Sequence, residues 1–252
     1  MPVLRTKTSR MWLPDALRGL ALLNMLAYHA MYDWVYVFGH ESSWYNIWAP
    51  GCHVWQQYIC WSFILLSGFS FPLAKRPAKN GLIVAGCAAV LTFVTAVFMP
   101  SEAIWFGVLH LNAAAVLLTC LVYPLLQRLP AGTGLAASAA LFALTNQLPE
   151  GYLGFENWRL CAVPAGLYRA NLFWLGLPDP TRFTSADYFP VVPWVFLFWF
   201  GVFLARRWRP GRGEPPAALR PLCAIGRNTL LVYMLHQPVI YGALWVWHTV
   251  LG

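Results

Sequence analysis

The stretch WLPDALRGLALLNMLAYHAMYDWVYVFGH, from Trp12 to His40, is apolar and long enough to cross a bilayer as a helix, yet four acidic, basic or imidazole side chains lie inside it, ahead of the histidine at its end. They are Asp15, Arg18, His29 and Asp33. A charge near the middle of a bilayer costs roughly 3 kcal/mol, so such residues usually face a protein interior and serve a function. At ~1.5 Å and ~100° per residue all four fall on one stripe, with the arginine about 16 Å from the first histidine. The stripe predicts a helix that other helices enclose, with polar groups at two levels.

The composition indicates a membrane protein. Hydrophobic residues make up 59% of the chain and charged residues only 10%, while 14 Trp and 11 Tyr are typical of interfacial aromatic belts. The apolar runs cover residues 12–38, 53–74, 81–99, 105–127, 132–148, 189–208 and 222–250. We therefore predict a single all-α domain, residues 1–252, that forms a polytopic membrane helix bundle of about seven transmembrane helices.

The positions of the basic residues predict the orientation of the chain. A net charge of +8 would suggest nucleic acid for a soluble protein, but these residues lie between apolar runs, so the lipid bilayer is the expected partner. Arg5, Lys7 and Arg10 precede the first run, which lacks a small-residue cleavage site and is interpreted as an uncleaved helix. The positive-inside rule then selects a cytoplasmic N-terminus. A bacterial inner membrane is the expected location, and a homodimer is left open.

Two segments on the predicted outer side, residues 39–52 and 149–188, are long enough to serve as binding or lid elements. Of the 6 cysteines, Cys52 and Cys161 fall in these segments, which leaves a disulfide open if the compartment is oxidising. No CxxC or HExxH spacing occurs, and no metal site is predicted.

Other polar residues within or beside the apolar runs repeat the two-level pattern. The predicted outer level also contains His110, Asp187 and His236. The predicted inner level also contains Arg227 and Asn228. A lone buried histidine is more often a hydrogen-bonded core residue than a functional one, but several histidines and carboxylates at one level favour a site.

Four kinds of function use polar levels of this kind. Haem ligation is disfavoured because no second histidine pair appears at the inner level. A retinal-type receptor needs a lysine within a span, whereas Lys7, Lys75 and Lys79 all lie outside the spans. A transporter or proton relay stays open because chains of buried His and Asp serve there too. Transfer of a group across the membrane also stays open, with arginines holding a phosphate-rich donor and histidines acting on its reactive end.

Five motifs narrow these alternatives. They are DALRGLALLNMLAYH, LLSGFSF, FGVLH, DYFPVVPW and GRNTLLVYMLHQP, in the first, second, fourth, sixth and seventh runs. In this order they resemble the membrane acyltransferase family that includes lysosomal heparan-alpha-glucosaminide N-acetyltransferase. The resemblance implies an acyl-CoA-dependent acetyltransferase. Acetyl-CoA would bind from the cytosol, and the acetyl group would pass to an amino sugar, another glycan or a small-molecule acceptor on the far side.

The resemblance also implies roles for individual residues. In the family, the arginine of an RG pair, an active-site asparagine and the catalytic histidine follow at equal steps, which here run from Arg18 to His29 and on to His40. His40 is therefore the expected catalytic histidine, as general base or transient acetyl carrier. His29 stands where the family has asparagine, and it is expected to support His40 together with Asp33.

The remaining polar residues are assigned by level. The acceptor side is expected to be lined by His110, Asp187 and His236. The cofactor acetyl-CoA is expected to be held by Arg18, Arg227 and Asn228, without a metal. As an alternative, Arg18 forms only a structural pair with Asp15. The runner-up function is a non-enzymatic transporter or proton-relay protein that uses the same buried histidines and aspartates.

Overall fold

The computed structural model describes residues 11–251, so the predicted basic residues Arg5, Lys7 and Arg10 lie outside the described residues. The described chain is mostly helical and contains one small β-hairpin. The helices are α1 (Trp12–Tyr32), α2 (Pro50–Ser70), α3 (Pro77–Phe98), α4 (Val108–Arg128), α5 (Ala131–Thr145), α6 (Val191–Arg207), α7 (Arg220–Arg227) and α8 (Thr229–Leu251). The hairpin strands are β1 (Tyr152–Phe155) and β2 (Trp158–Ala162).

The prediction of a mainly helical membrane protein is confirmed. By length and composition, α3, α4 and residues Thr229–Val250 of α8 are apolar enough to cross a bilayer. Helices α5 and α6 are apolar but shorter, with 15 and 17 residues. The predicted number of spans and the orientation of the N-terminus stay predictions.

Two apolar runs fold differently from the prediction of simple helices. The last run is divided at Asn228, where the backbone leaves helical geometry between α7 and α8. The first run ends in a π-helical turn, Asp33–Val37, which continues α1 with a wider backbone. Both changes of backbone geometry leave the apolar pattern of the run intact, so the pattern does not predict them.

The all-α prediction also misses the hairpin within residues 149–188. Strands β1 and β2 pair antiparallel with a bulge between Leu153 and Gly154, and Glu156 in the turn has a positive φ of 48°. Gly154 has a φ of 147° and approaches the backbone of Trp158 so closely that a side chain would not fit. The two strands are too short to show a clear alternating pattern.

The described chain divides into two compact units. One contains the described residues up to Phe63 together with those from Arg209 onward, and the other contains residues Ile64–Trp208. The second unit pairs α3 with α4 and α5 with α6, and its core includes fully buried Phe198 and Phe203. The first unit holds α1, α7, α8 and the beginning of α2, and its core includes Leu22, Met25 and Ile59.

Glycines set the closest helix contact in the first unit. A Cβ on Gly19 would overlap the backbone of Leu222, and a Cβ on Gly226 would overlap the carbonyl of Asp15 and lie 2.8 Å from the amide nitrogen of Gly19. The backbones of α1 and α7 can therefore touch only because both positions lack a side chain. We call this contact, formed by Gly19 and Gly226, the α1–α7 glycine seam.

The residues just before α1 and just before α7 lie close together beside the seam. Met11 pairs with Arg212 as an isolated β-bridge, and the Cys223 thiol donates to the carbonyl oxygen of Trp12 over 3.5 Å. The start of α1 and the whole of α7 thus lie at the same end of the first unit. From this end, α8 follows α1 in a parallel direction, because His29 meets His236 and Phe38 meets Tyr241 further along.

Candidate functional site

A polar cluster lies where the end of α1 packs against α8. Asp33, the first residue of the π-helical turn, is only 1% exposed. The amide nitrogen of Gln237 donates a hydrogen bond to Asp33 Oδ1 over 3.2 Å. This orientation of the Gln237 amide follows from chemistry, because its carbonyl oxygen would be repelled by the carboxylate. Gln237 is not among the site residues predicted from the sequence, although it directly follows His236 in the HQP motif.

One turn before Asp33, two histidines meet between the same helices. The rings of His29 and His236 lie with centroids 4.8 Å apart and planes at 63°, so the edge of one ring faces the other. His236 is 8% exposed, whereas His29 is less completely buried. These two histidines are predicted to lie at one depth, and in the structure their rings are in contact. We call His29, Asp33, His236 and Gln237 the α1–α8 polar cluster.

The hydrogen bond of His236 fixes its tautomer. Nδ1 is hydrogen-bonded to the carbonyl oxygen of Tyr233 in the preceding turn. Since a carbonyl can only accept, Nδ1 must carry the proton, and in the neutral ring Nε2 then carries a lone pair. The Nε2 atom is buried and has no hydrogen-bond partner in the part of the chain that the structure describes.

The cluster therefore presents hydrogen-bond acceptors. Asp33 Oδ2 and Gln237 Oε1 are, like His236 Nε2, buried without a partner among residues 11–251. A buried polar atom left unsatisfied costs about 1–3 kcal/mol, so three such atoms within one helical turn are unusual in a core that only has to be stable. The arrangement suits a ligand that donates hydrogen bonds or protons.

His40 lies at a different level. Its ring stacks on that of Trp34 at a centroid distance of 3.8 Å and an angle of 19°, and its backbone amide donates to the Trp34 carbonyl oxygen over 3.1 Å. The edge of the His248 ring lies 5.8 Å away, centroid to centroid. Nε2 of His40 is buried and lacks a hydrogen-bond partner among the described residues.

The structure separates His40 from the residues expected to support it. No hydrogen bond or ring contact among the described residues joins His40 to His29 or Asp33. His248, beside His40, lies twelve residues beyond His236 on α8, which is about 18 Å along a helix. The physical reason is that helical geometry ends at Phe38, and Gly39, with a φ of 73°, turns the chain so that His40 folds back onto Trp34.

His110 and Asp187 lie together in the second unit, where both cap the N-terminus of α4. His110 Nδ1 accepts from the Gly107 amide over 3.3 Å, and Nε2 lies 3.0 Å from the Thr92 hydroxyl, which itself donates to the Ile104 carbonyl. Both ring nitrogens are thus engaged, with the proton on Nε2. His110 thus helps to cap the N-terminus of α4, because Gly107 at the N-cap position has no side chain to do so.

Asp187 supports the same helix end. Its Oδ2 accepts a hydrogen bond from the Val108 amide over 3.1 Å. Burial raises the pKa of this carboxyl to about 6, and the Val108 amide opposes the shift. Beside His110 the surface forms an open, mainly apolar groove of about 490 Å³. Both residues have a structural role, and their predicted place on the acceptor side stays a prediction.

The residues expected to bind acetyl-CoA differ in how exposed their side chains are. Arg18 donates to Asp15 over 2.9 Å, and the two side chains are only 15% and 4% exposed, so their ion pair stabilises the helix end. Arg227 is exposed, and its Nε donates to the Cys223 carbonyl over 2.9 Å. Within residues 11–251 no carboxylate forms a salt bridge with Arg227. Asn228, also exposed, donates to the carbonyl of Ala224.

Neither a disulfide nor a cluster of metal ligands is found among residues 11–251. Cys52 is buried and Cys161 exposed, and both are free thiols. Within the described part of the chain, no group of three or more His, Cys, Asp or Glu side chains is arranged to hold a metal ion.

Comparison with known proteins identifies the family. The model of one family, described as heparan-alpha-glucosaminide N-acetyltransferase, catalytic, matches residues 10–238. The matched range includes His40, Arg227 and the whole α1–α8 polar cluster, and it ends before His248. No match is found among curated proteins or among solved structures. Since the family model matches most of the sequence, the chain belongs to the heparan-alpha-glucosaminide N-acetyltransferase catalytic family, whose members are membrane acetyltransferases.

Proposed function

We propose that this protein moves an acetyl group from cytosolic acetyl-CoA to an amino sugar or another glycan on the opposite side of a bacterial inner membrane. Membership of the family supports acetyl transfer. The charge bias of the sequence supports a cytoplasmic N-terminus with seven spans. In this orientation the α1–α7 glycine seam lies at the cytoplasmic side, and His40 lies towards the outer side.

Residues at the cytoplasmic end suit the phosphates of acetyl-CoA. Arg227 is exposed and has no carboxylate partner among the described residues, and it adjoins the N-terminus of α8, whose first amides and dipole favour an anion. Asn228 lies between them. Arg18 fits this role less well, because Asp15 already neutralises it. When bound, acetyl-CoA supplies the thioester, and the chain supplies the groups that hold it and that move protons.

His40 is the histidine that the family resemblance assigns to catalysis. The observation that carries this proposal is its buried Nε2 atom, which lacks a partner among the described residues while stacking on Trp34 holds the ring in place. An oriented imidazole with a free nitrogen can act as a general base towards the acceptor or as a transient acetyl carrier.

Acetyl transfer by purified variants tests the proposal. We expect His40→Ala to abolish transfer to a panel of amino sugars while CoA still binds, because the substitution removes the reacting nitrogen and leaves the cytoplasmic end intact. His29→Asn restores the residue typical of the family and should retain a measurable rate. Normal turnover by His40→Ala would show that His40 has no catalytic role.

A second candidate function is a transporter or proton relay without acetyl transfer. The observation that favours it is the α1–α8 polar cluster itself, because buried His and Asp side chains also serve as proton paths in membranes. Isothermal titration of the purified protein with CoA separates the two candidates. Micromolar binding supports the acetyltransferase, whereas absence of both CoA binding and acetyl transfer supports the transporter.

A further inference from the structure

We infer that His248 carries to the surface the proton that His40 takes from the acceptor, so that His40 works together with a second histidine. The inference rests on the proposed function, with His40 as the general base. It starts from a contact between two imidazoles in different surroundings. Their ring centroids lie 5.8 Å apart, and His40 Nε2 is buried whereas His248 is exposed.

The chemistry of the acceptor calls for such a relay. The amino group of an amino sugar is largely an ammonium ion at neutral pH, and an ammonium nitrogen has no lone pair with which to attack a thioester. His40 therefore has to remove one proton before the attack and a second one during it. An imidazole that has taken the first proton cannot take the second until the first has left.

The contacts of His40 leave His248 as the group that can receive this proton. Among the described residues, the rings in contact with that of His40 are those of Trp34 and His248. The Trp34 indole nitrogen can only donate, so it cannot take a proton. Glu41 follows His40 and is exposed, but within residues 11–251 no ion pair joins its carboxylate to the His40 ring. A neutral imidazole accepts a proton on one nitrogen and can release one from the other.

The position of His248 suits release of the proton to water. It lies near the end of α8 together with Trp245 and Trp247, and all three side chains are exposed. Exposed tryptophans at the end of an apolar helix are typical of the boundary between membrane and water. A proton that reaches His248 is therefore at the edge of the aqueous phase.

The two rings are close enough for proton transfer after a small movement. Two hydrogen-bonded imidazoles have centroids about 5 Å apart, because the distance between the two nitrogens is about 3 Å. The edge of one ring already faces the other, with the planes at 74°. An exposed side chain covers the remaining distance within nanoseconds, or one water molecule bridges it.

Phe38 holds His248 beside His40. The Phe38 ring contacts that of His248 at a centroid distance of 5.7 Å, and it contacts that of Tyr241, the other titratable ring on this part of α8, at 5.5 Å. Since Phe38 directly precedes the Gly39 turn that folds His40 back, the same packing places both histidines. The match to the family model ends at residue 238, so this contact is a feature of the chain beyond the matched range.

The proposed step is balanced as follows. His40 Nε2 takes a proton from the acceptor ammonium, and the imidazolium formed gives a proton to the neutral His248 ring, which releases it to water. The free amine then forms a bond to the thioester carbonyl carbon. The carbon–sulfur bond breaks, and His40 moves the second proton from the nitrogen to the leaving sulfur. The products are the acetylated acceptor, CoA thiol and one proton in water.

The test measures how the role of His248 depends on the protonation of the acceptor. Acetyl transfer by the purified full-length protein is followed in dilute buffer at about pH 6.5 and about pH 9, below and above the pKa of ~8 expected for the amino group of glucosamine. His248→Gln keeps a polar side chain that cannot carry a proton, and His248→Ala opens space beside His40. His53→Gln, at an exposed position on α2, is the matched control. Rates are taken at saturating acetyl-CoA after subtraction of the reaction without protein.

We expect both His248 variants to bind CoA as the wild type does. Relative to the wild type, they should lose at least about tenfold in rate at the lower pH but less than about threefold at the higher pH, where the amine arrives without the extra proton. Added 2-methylimidazole is a proton acceptor whose methyl group hinders acetylation of its nitrogens, and it should restore the rate of His248→Ala at the lower pH. His53→Gln should match the wild type at both pH values.

Three results would overturn the inference while the wild type transfers acetyl. The first is a wild-type rate in both His248 variants. The second is the same fractional loss at both pH values, which indicates a structural role, and the third is a loss that 2-methylimidazole does not restore. The proposed function fails separately, if the wild-type protein neither binds CoA nor transfers acetyl to glucosamine.

Discussion

Replacing Gly226 by alanine should move α7 away from α1 and weaken the binding of acetyl-CoA proposed at Arg227. A Cβ at this position would lie 2.8 Å from the Gly19 amide nitrogen and even closer to the Asp15 carbonyl, where ordinary contacts begin near 3.4 Å. Both neighbours are backbone atoms that cannot rotate away, so α7 has to move from α1 by about 1 Å, at a cost of ~3 kcal/mol at the upper end of overpacking. The gain in helix propensity offsets about 1 kcal/mol of this. The net expectation is a destabilisation of about 2 kcal/mol.

The measurement is thermal unfolding in detergent, combined with titration of CoA. Gly86→Ala on α3 is the matched control, because no atom lies within 4 Å of the Cβ added there. It should be neutral or stabilise the protein by up to about 1 kcal/mol through helix propensity alone. Gly226→Ala should unfold at a lower temperature and bind CoA more weakly, because Arg227 moves with α7. Equal unfolding temperatures for the two variants would refute the close contact on which this reasoning depends.

Two further predictions concern charged groups. Arg227→Ala should weaken CoA binding by about 1.5–3 kcal/mol, as expected for the loss of a hydrogen bond from a charged group. The control Arg209→Ala, at another exposed position, should leave the affinity unchanged. If calorimetry shows unchanged affinity for Arg227→Ala as well, Arg227 is a surface charge only. Because burial raises the pKa of Asp187 from 3.8 to about 6, its contribution to stability is present below pH 4 and is lost as the pH rises through 6. Asp187→Asn keeps an acceptor for the Val108 amide but cannot ionise. The free energy of unfolding of this variant relative to the wild type should therefore rise by up to about 3 kcal/mol between pH 4 and pH 8. If chemical unfolding shows the same difference in free energy at both pH values, the prediction is wrong.

The sequence predicts the helices well because each apolar run is long, so that many residues contribute to the same pattern. It does not predict where a helix breaks or changes form, since the break at Asn228 and the π-helical turn that begins at Asp33 leave the apolar pattern unchanged. Gly19, the glycine of the RG pair, carries no predicted role of its own. In the structure the glycine makes the closest contact with α7, and the arginine pairs with Asp15.

The histidines show the same limit at the level of the site. Helical spacing placed His29 and His236 at one depth, and their rings meet. The same reasoning placed His110 at that depth, but depth alone cannot tell that both of its nitrogens are used by Thr92 and Gly107. That pairing depends on how the loop before α4 folds, which an apolar pattern does not encode.

The candidate site is built from the two ends of the matched sequence, and this explains why the glycine seam matters for chemistry. α1 contributes His29 and Asp33, and α8 contributes His236 and Gln237, so the geometry of the cluster depends on how far α8 is shifted along α1. α8 begins directly after α7, and α7 is fixed to α1 by contacts between backbones, which are stiffer than contacts between side chains. Two glycines in the first half of α1 and at the end of α7 therefore set the register of the acceptors that lie further along α1 and α8. A ligand that donates hydrogen bonds to these acceptors needs them at fixed relative positions, and a contact between two backbones keeps them there because little in it can yield.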